Sequence, residues 1–192
     1  MAVVTPVPNL LTDPGSILWA PLGTAEPTHT VLAGKFTDTW PIAWVNLGAT
    51  QDGSEFSYAM KTSPILVAEF LDPIRQVTTE RDGHMSFMLA SYVAANLALA
   101  MNGAVTTVTG TGATTMTRIV PPTPGTERRS MIGWESTDMT VRIICFQTFN
   151  DVDIKMTFKK APNVATIPTQ FAFEMPQGGQ PFAIITAGLT RG

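Results

Sequence analysis

The chain has 192 residues, of which 44% are hydrophobic and only 14% charged, and its formal net charge is −3. That length suits one domain, or one domain with an arm, and is enough to bury a core. The acidic balance argues against a broad phosphate-gripping face, and the apolar content argues against a disordered chain. Soluble proteins average about 25% charged residues, so much of this surface is expected to be covered in an assembly. The single cysteine, Cys145, excludes an internal disulfide. It lies in the apolar run Val141–Phe146 and reads as a buried thiol.

Residues 1–39 read as an N-terminal arm and irregular entry segment. Pro6, Pro8 and Pro14 favour an extended chain. Val3, Val4, Val7, Leu10 and Leu11 would gain by lying on a neighbouring surface. A short strand is expected at Ile17–Ala20. The opening residues lack a basic stretch followed by an apolar one, so no secretory leader is expected. The longest apolar run, Tyr92–Met101, is broken by Asn96 and too short to cross a bilayer. Membrane insertion is therefore not expected, and the protein is expected to stay soluble in a cytoplasm.

Residues 40–192 read as a single β domain. Trp44–Leu47 leads into a turn marked by Gly48 and Asp52-Gly53. Phe56, Tyr58 and Met60 then alternate with Glu55, Ser57, Ala59 and Lys61, the period of a half-buried strand. Pro64 and Pro73 suggest a long loop over 61–75. Val77 to Leu89 is the clearest strand. Its odd positions turn increasingly apolar, and its even positions, Thr78, Glu80, Asp82 and His84 among them, are mostly polar.

The pattern then changes to a helix over 91–102, with Ser91 as its cap and Gly103 beyond its end. This helix carries no charge, so it should be covered on both sides, on one of them by a neighbouring subunit. Gly103–Gly112 reads as a turn or weak hairpin and Pro121–Arg129 as an exposed loop. Strands are expected at Met139–Phe149 and Val152–Lys159, joined as a hairpin through Asn150-Asp151. Two more are expected near Ala165–Met175 and Phe182–Ala187. Many strands, one helix and no βαβ alternation give a mainly β fold, a β-sandwich or barrel with one flanking α-helix.

Catalytic chemistry is hard to find. His29 and His84 are the only histidines, and no Cys/His spacing suits zinc. Gly110-Thr111-Gly112 lacks the third glycine and the βαβ setting of a dinucleotide loop. There is no phosphate-binding lysine motif and no Gly-x-Ser-x-Gly elbow. Asp151 and Asp153 lack the further carboxylates of a calcium loop. Glu80 and Asp82, two apart on one strand, read as an electrostatic surface rather than a catalytic pair. No catalytic residue, metal site or cofactor is expected, and an enzyme is the least favoured class.

The order of features from Trp40 to Gly103 is more informative than any one motif. Trp44-Val45-Asn46-Leu47-Gly48-Ala49-Thr50 precedes Asp52-Gly53 and the Phe56–Met60 strand. A loop leads to Leu71-Asp72-Pro73-Ile74-Arg75, then a strand ends in Ser86-Phe87-Met88-Leu89. The helix closes the series with Asn96-Leu97-Ala98-Leu99-Ala100. This order, over about a third of the chain, resembles the major tail protein, or tail tube protein, of long non-contractile-tailed bacteriophages. The resemblance implies a β-sandwich with a flanking helix, assembled as hexameric rings stacked into a hollow tail tube. It implies a virion protein assembled in the host cytoplasm. Its partners would be copies of itself, a tape-measure protein enclosed by the tube, and tail-tip and terminator proteins. DNA would pass through without specific binding, because an acidic lining repels phosphates.

On that reading Glu55, Ser57, Thr78, Glu80, Asp82 and His84 should face the lumen, with Asp153, Lys155 and Lys159 as weaker additions. Ile65, Leu66, Val67, Phe70 and Leu71 should form a ring-stacking loop, assisted by the arm. Tyr92, Leu97, Leu99 and Met101 should make the subunit-contact helix. The competing readings are a tube or terminator ring of an injection or secretion system, and a β-sandwich carbohydrate-binding module. Trp19, Trp40, Trp44 and Trp134 are not clustered in sequence as a sugar-stacking platform would be.

Overall fold

The computed structural model describes residues 15–66, 72–156 and 166–188. Strand β1, Ser16–Pro21, enters the fold at once. Short strands β2 (Val31–Leu32), β3 (Lys35–Phe36) and β4 (Val45–Asn46) follow. Two long strands come next, β5 over Thr50–Ile65 and β6 over Arg75–Leu89. Helix α1 spans Ala94–Ala100. A small hairpin of β7 (Val105–Thr109) and β8 (Met116–Val120) stands apart from the main sheet. The chain ends with β9 (Ser130–Glu135), β10 (Val141–Asn150), β11 (Ile167–Phe173) and β12 (Phe182–Thr186).

Eight strands form one antiparallel sheet in the order β4-β1-β9-β10-β11-β6-β5, with β12 also on β10. Strand β10 changes partner along its length: Val141–Cys145 pairs with β12, and Thr148–Asn150 with β11. Its register against β9 slips between those two stretches, between Cys145 and Thr148. A bulge of this kind bends a strand and increases its twist. The main core brings Ile17, Ile132 and Trp134 together with Met85, Phe87, Leu89, Ile167 and Phe171. The sheet thus curls until its two wings pack face to face, and Leu99 and Ala100 of α1 join that core. This is the mainly β, sandwich-like architecture with one flanking helix.

A second cluster, Leu18, Ala20, Trp44, Met131 and Ile144, lies on the other face of β1, β9 and β10. Trp40 packs against it. Hence β1 and β9 are covered on both faces, and β1 is held along six register pairs to β9. The Ile17–Ala20 part of the opening segment is therefore inside the sheet. Strand β9 was not expected from sequence. Gly133 explains its centre, since a Cβ there would stand 2.7 Å from the Trp40 ring and 3.0 Å from Trp44.

Several local expectations are corrected. Pro64 does not end β5, which runs on to Ile65 and pairs with β6 down to Ile65↔Arg75. Strand β5 is an edge strand, where a missing N–H is tolerated. The loop expected at 61–75 is therefore largely the outer end of a hairpin. The helix is shorter than 91–102, and its N-cap is Val93 with no side-chain cap. Past its end, Asn102 takes the left-handed conformation at φ 54° before Gly103 at φ 92°. Residues 152–156 form no strand, so no hairpin joins them to β10. Val152 and Ile154 are half-buried between exposed Asp153 and Lys155, so the alternation is real without a backbone ladder. Lys159 lies outside the described residues.

Candidate functional site

The β5–β6 pair supplies the most regular polar surface. Its register sets Glu55 opposite Ser86, Ser57 opposite His84, Ala59 opposite Asp82 and Lys61 opposite Glu80. Directly opposed residues of an antiparallel ladder share a face. Glu55, Ser57, Glu80, Asp82 and His84 are therefore gathered on one surface. Thr78 is not with them. The register slips between Lys61 and Thr62, and Thr78 pairs with Thr62 on the Tyr58–Met60 face.

Lys61 Nζ donates to Glu80 Oε2 at 2.8 Å, and His84 Nε2 lies 2.9 Å from Asp82 Oδ1. Asp151 joins them: its Oδ2 is 3.8 Å from His84 Nδ1, and its Oδ1 accepts from Gln170 Nε2 at 3.3 Å. Sequence spacing gave no sign of that approach of Asp151 to His84, because β11 lies between the two. Among the described residues, Glu55, Glu80, Asp82 and Asp151 outnumber the cations of this face, Lys61 and, opposite Ile65, Arg75, a negative excess. Asp153 and Lys155 are exposed.

Beyond Phe56 the hairpin leaves the body of the fold. Every described residue from Ser57 to Leu66 and from Asp72 to Asp82 is exposed, on both faces. Tyr58, Met60, Ile65, Leu66, Ile74 and Val77 are the large apolar side chains left open there. Ile74 N donates to Ile65 O at 3.0 Å, so the pairing holds to the end. Of the expected stacking residues, Ile65 and Leu66 stand at this exposed end. Val67, Phe70 and Leu71 lie outside the described residues. At the root of the hairpin, Phe56, Tyr58, Phe173 and Phe182 pack ring against ring, with centroids 5.0–5.7 Å apart. Gly83 is needed there, since its Cβ would stand 2.6 Å from the Phe173 ring.

Helix α1 has one buried and one open side. Asn96, Leu99 and Ala100 are buried, and Leu97 packs on the same core. Asn96 holds the helix by donating from Nδ2 to Leu47 O at 3.0 Å, a contact not foreseen. Leu97 and Leu99 thus serve the chain's own core, while Tyr92, Val93 and Ala95 are exposed. Met101 is half-buried. Tyr92 Oη donates to Thr166 O at 3.1 Å. The open side of α1 faces the β7–β8 hairpin across a groove of about 900 Å³.

The strongest electrostatic site is structural. Arg142 is 1% exposed; its Nε donates to Glu135, its Nη1 to Asp38 Oδ1 at 3.0 Å, and its Nη2 to Asp38 O at 2.8 Å. Its guanidinium lies 4.4 Å from the Phe36 ring centroid. Burial would raise the Asp38 pKa, but Arg142 and the His29 backbone N–H hold it below the ordinary carboxylate range. This network ties the segment around Asp38 to β9 and β10. The tryptophans also serve the interior: Trp44 and Trp134 are buried, and Trp40 Nε1 donates to Glu135 Oε2 at 3.0 Å. Burial pushes the Cys145 thiol far up, which makes it a poor nucleophile. Among the described residues no group of three or more His, Cys, Asp or Glu side chains is placed to hold a metal ion. Nor is any described helix long and apolar enough to cross a membrane.

What this surface offers is therefore packing and charge, arranged on a large antiparallel sheet. A family model described as phage tail tube protein matches residues 10–185. The chain belongs to the phage tail tube protein family. No curated protein matches it. The match runs from before the opening strand β1, through the protruding β5–β6 hairpin, into the last strand, β12. This tail tube protein is a structural component of a virion tail, a role that asks for self-assembly. Its exposed apolar hairpin and half-open helix are accordingly the surfaces to consider, ahead of any cleft.

Proposed function

We propose that the chain forms rings, six copies to a ring as the family resemblance implies, and that the rings stack into a hollow tube. The observation that carries this reading is the β5–β6 hairpin, exposed on both faces yet bearing Tyr58, Met60, Ile65, Leu66, Ile74 and Val77. A two-stranded ribbon is marginal alone in water. Contact with a neighbour would cover its apolar side chains. Strand β5 is also a 16-residue sheet edge. Such an edge invites pairing with another chain, and closure into a shared barrel removes the hazard.

In this reading Glu55, Ser57, Glu80, Asp82 and His84 face the lumen. Their negative excess would let a DNA duplex slide rather than bind. The end of the hairpin, with Ile65 and Leu66, makes the ring-to-ring contact. The tube encloses the tape-measure protein during assembly and then conducts DNA, and its ends meet tail-tip and terminator proteins. The test is negative-stain electron microscopy of the purified protein, paired with light scattering for mass. Tubes of variable length with a central channel are the expected result. Closed single rings that never stack would favour a terminator-like role, and a persistent monomer at high concentration would refute self-assembly.

A further inference from the structure

We propose that His84 is a proton-operated latch: neutral, it is tied to Asp151 through Gln170, and protonated, it takes Asp151 directly. The latch belongs to the single chain; its bearing on a lumen rests on the tube reading. His84 lies on β6 directly opposite Ser57 of β5 and Ala172 of β11. Its Nε2 lies 2.9 Å from Asp82 Oδ1, and its Nδ1 lies 3.4 Å from Gln170 Nε2. A carboxylate at one ring nitrogen calls for a proton there, and an amide N–H at the other calls for a lone pair. The neutral imidazole with its proton on Nε2 meets both demands. The Gln170 amide is held in this orientation, because its Nε2 also donates to Asp151 Oδ1 at 3.3 Å. Turned over, its carbonyl oxygen would face a carboxylate that can only accept.

A second proton on the ring reverses the pairing. Nδ1–H and the Gln170 N–H then point at each other, donor against donor. The acceptor at hand is Asp151 Oδ2, already 3.8 Å from Nδ1. A charge-assisted N–H···O bond is about 2.8 Å long, so the carboxylate comes in by about 1 Å. The backbone there is anchored. Asp151 N donates to Gln170 O at 3.0 Å, and the Asn102 side chain holds both the N–H and the carbonyl of Asn150. The Asp151 side chain therefore makes the move. The charges around the ring favour it. Asp82 is on the same strand, Glu55 is diagonal on β5, and β11 presents uncharged Gln170 and Ala172 beside the ring. Glu174, two residues beyond Ala172, is held by Arg129, and Lys61 by Glu80. Protonation thus takes one charge off the negative excess of this face and draws Asp151 toward β6. Histidine is the side chain whose charge changes between about pH 5 and 8. In the tube reading, mild acid would make the lining less repellent to phosphates.

The test is solid-state NMR of the full chain with its histidines and aspartates isotopically labelled, recorded at about pH 8 and about pH 5. His29 and His84 are the only histidines, so His84→Gln assigns their signals, and His29→Gln does so independently. At the higher pH, His84 should carry a proton on Nε2 and none on Nδ1. At the lower pH both nitrogens should carry one, and the distance from Nδ1 to the Asp151 carboxyl carbon should fall by about 1 Å. Asp151→Asn should abolish that shortening and leave the contact of Nε2 with Asp82 in place. A proton on Nδ1 at the higher pH would overturn the proposal, because the Gln170 bond would then be absent. So would an unchanged distance from Nδ1 to the Asp151 carboxyl at the lower pH. The measurement is made on tubes and on dissociated protein alike. The same shortening in a chain that never forms tubes would uphold the latch and refute only its place in a lumen.

Discussion

Arg142 shows how one side chain can decide a local fold. It sits between Asp38 and Glu135 and beneath aromatic rings, with almost no contact with water. Removing one partner of a buried ion pair leaves the other charge uncompensated. Arg142→Met should therefore cost about 3–5 kcal/mol, read as a lower midpoint in urea unfolding. An unchanged midpoint would show that Asp38 and Glu135 find other partners. Gly83 makes a similar point by packing. Gly83→Ala would push a methyl into Phe173, which Phe56 and Phe182 hold in place. The expected loss is about 1–3 kcal/mol, again read by urea unfolding.

Acid should weaken the fold through the same kind of contact. Glu174 is held below the ordinary carboxylate range chiefly by the Arg129 hydrogen bond, and Asp138 by the Ser136 and Thr140 hydroxyls. Asp38 is depressed as well. Each folded pKa thus lies below its unfolded value, about 3.9 for Asp and 4.3 for Glu. As the pH falls, the unfolded state takes up protons first. The stabilisation is complete above about pH 5 and is lost as the pH drops through the folded values. Thermal midpoints should be flat from pH 7 to about pH 5 and fall below about pH 4.

At the scale of the element, the β5–β6 hairpin separates folding from assembly. Its root is in the core through Met85, Phe87 and Leu89, while its outer half touches no second layer. Deleting residues 65–70 should therefore leave the thermal midpoint of the unassembled protein nearly unchanged. It should abolish tubes while leaving rings or monomers, as read by sedimentation and electron microscopy. Normal tubes from that deletion would refute the stacking role. Pro64 fits the same picture, since a proline in β5 costs no ladder bond on the open side of an edge strand.

At the scale of the whole molecule, the question is which surface meets the lumen. Glu80→Cys offers a direct probe, because Glu80 lies on the polar face and is exposed in the single chain. In assembled tubes, a small thiol reagent should label it and a bulky one should not. In dissociated protein both should. Equal labelling by both reagents in tubes would place this face on the outside.

Much of the architecture was legible from periodicity and composition. The alternation from Val77 to Leu89 became β6, with burial alternating over Gly83–Leu89 as expected. The uncharged run after Ser91 became α1, and the clean two-residue period at Phe56–Met60 became part of β5. Those signals are local, because one strand or helix carries its own pattern of contact with water. The order of features from Trp40 to Gly103 also pointed to the family. Other features depended on residues far apart. Strand β9 has no alternation to read, because it is covered on both faces by layers the chain supplies elsewhere. The slip at Lys61 moved Thr78 to the other face, since register belongs to a pair of strands and not to one. Asp38 and Arg142, 104 residues apart, meet only because β10 and the entry segment pack together. The sequence by itself determined a β-rich, weakly charged chain with surfaces suited to assembly. Only the tertiary structure decided which of those surfaces are left uncovered, because that depends on which residues the rest of the chain reaches.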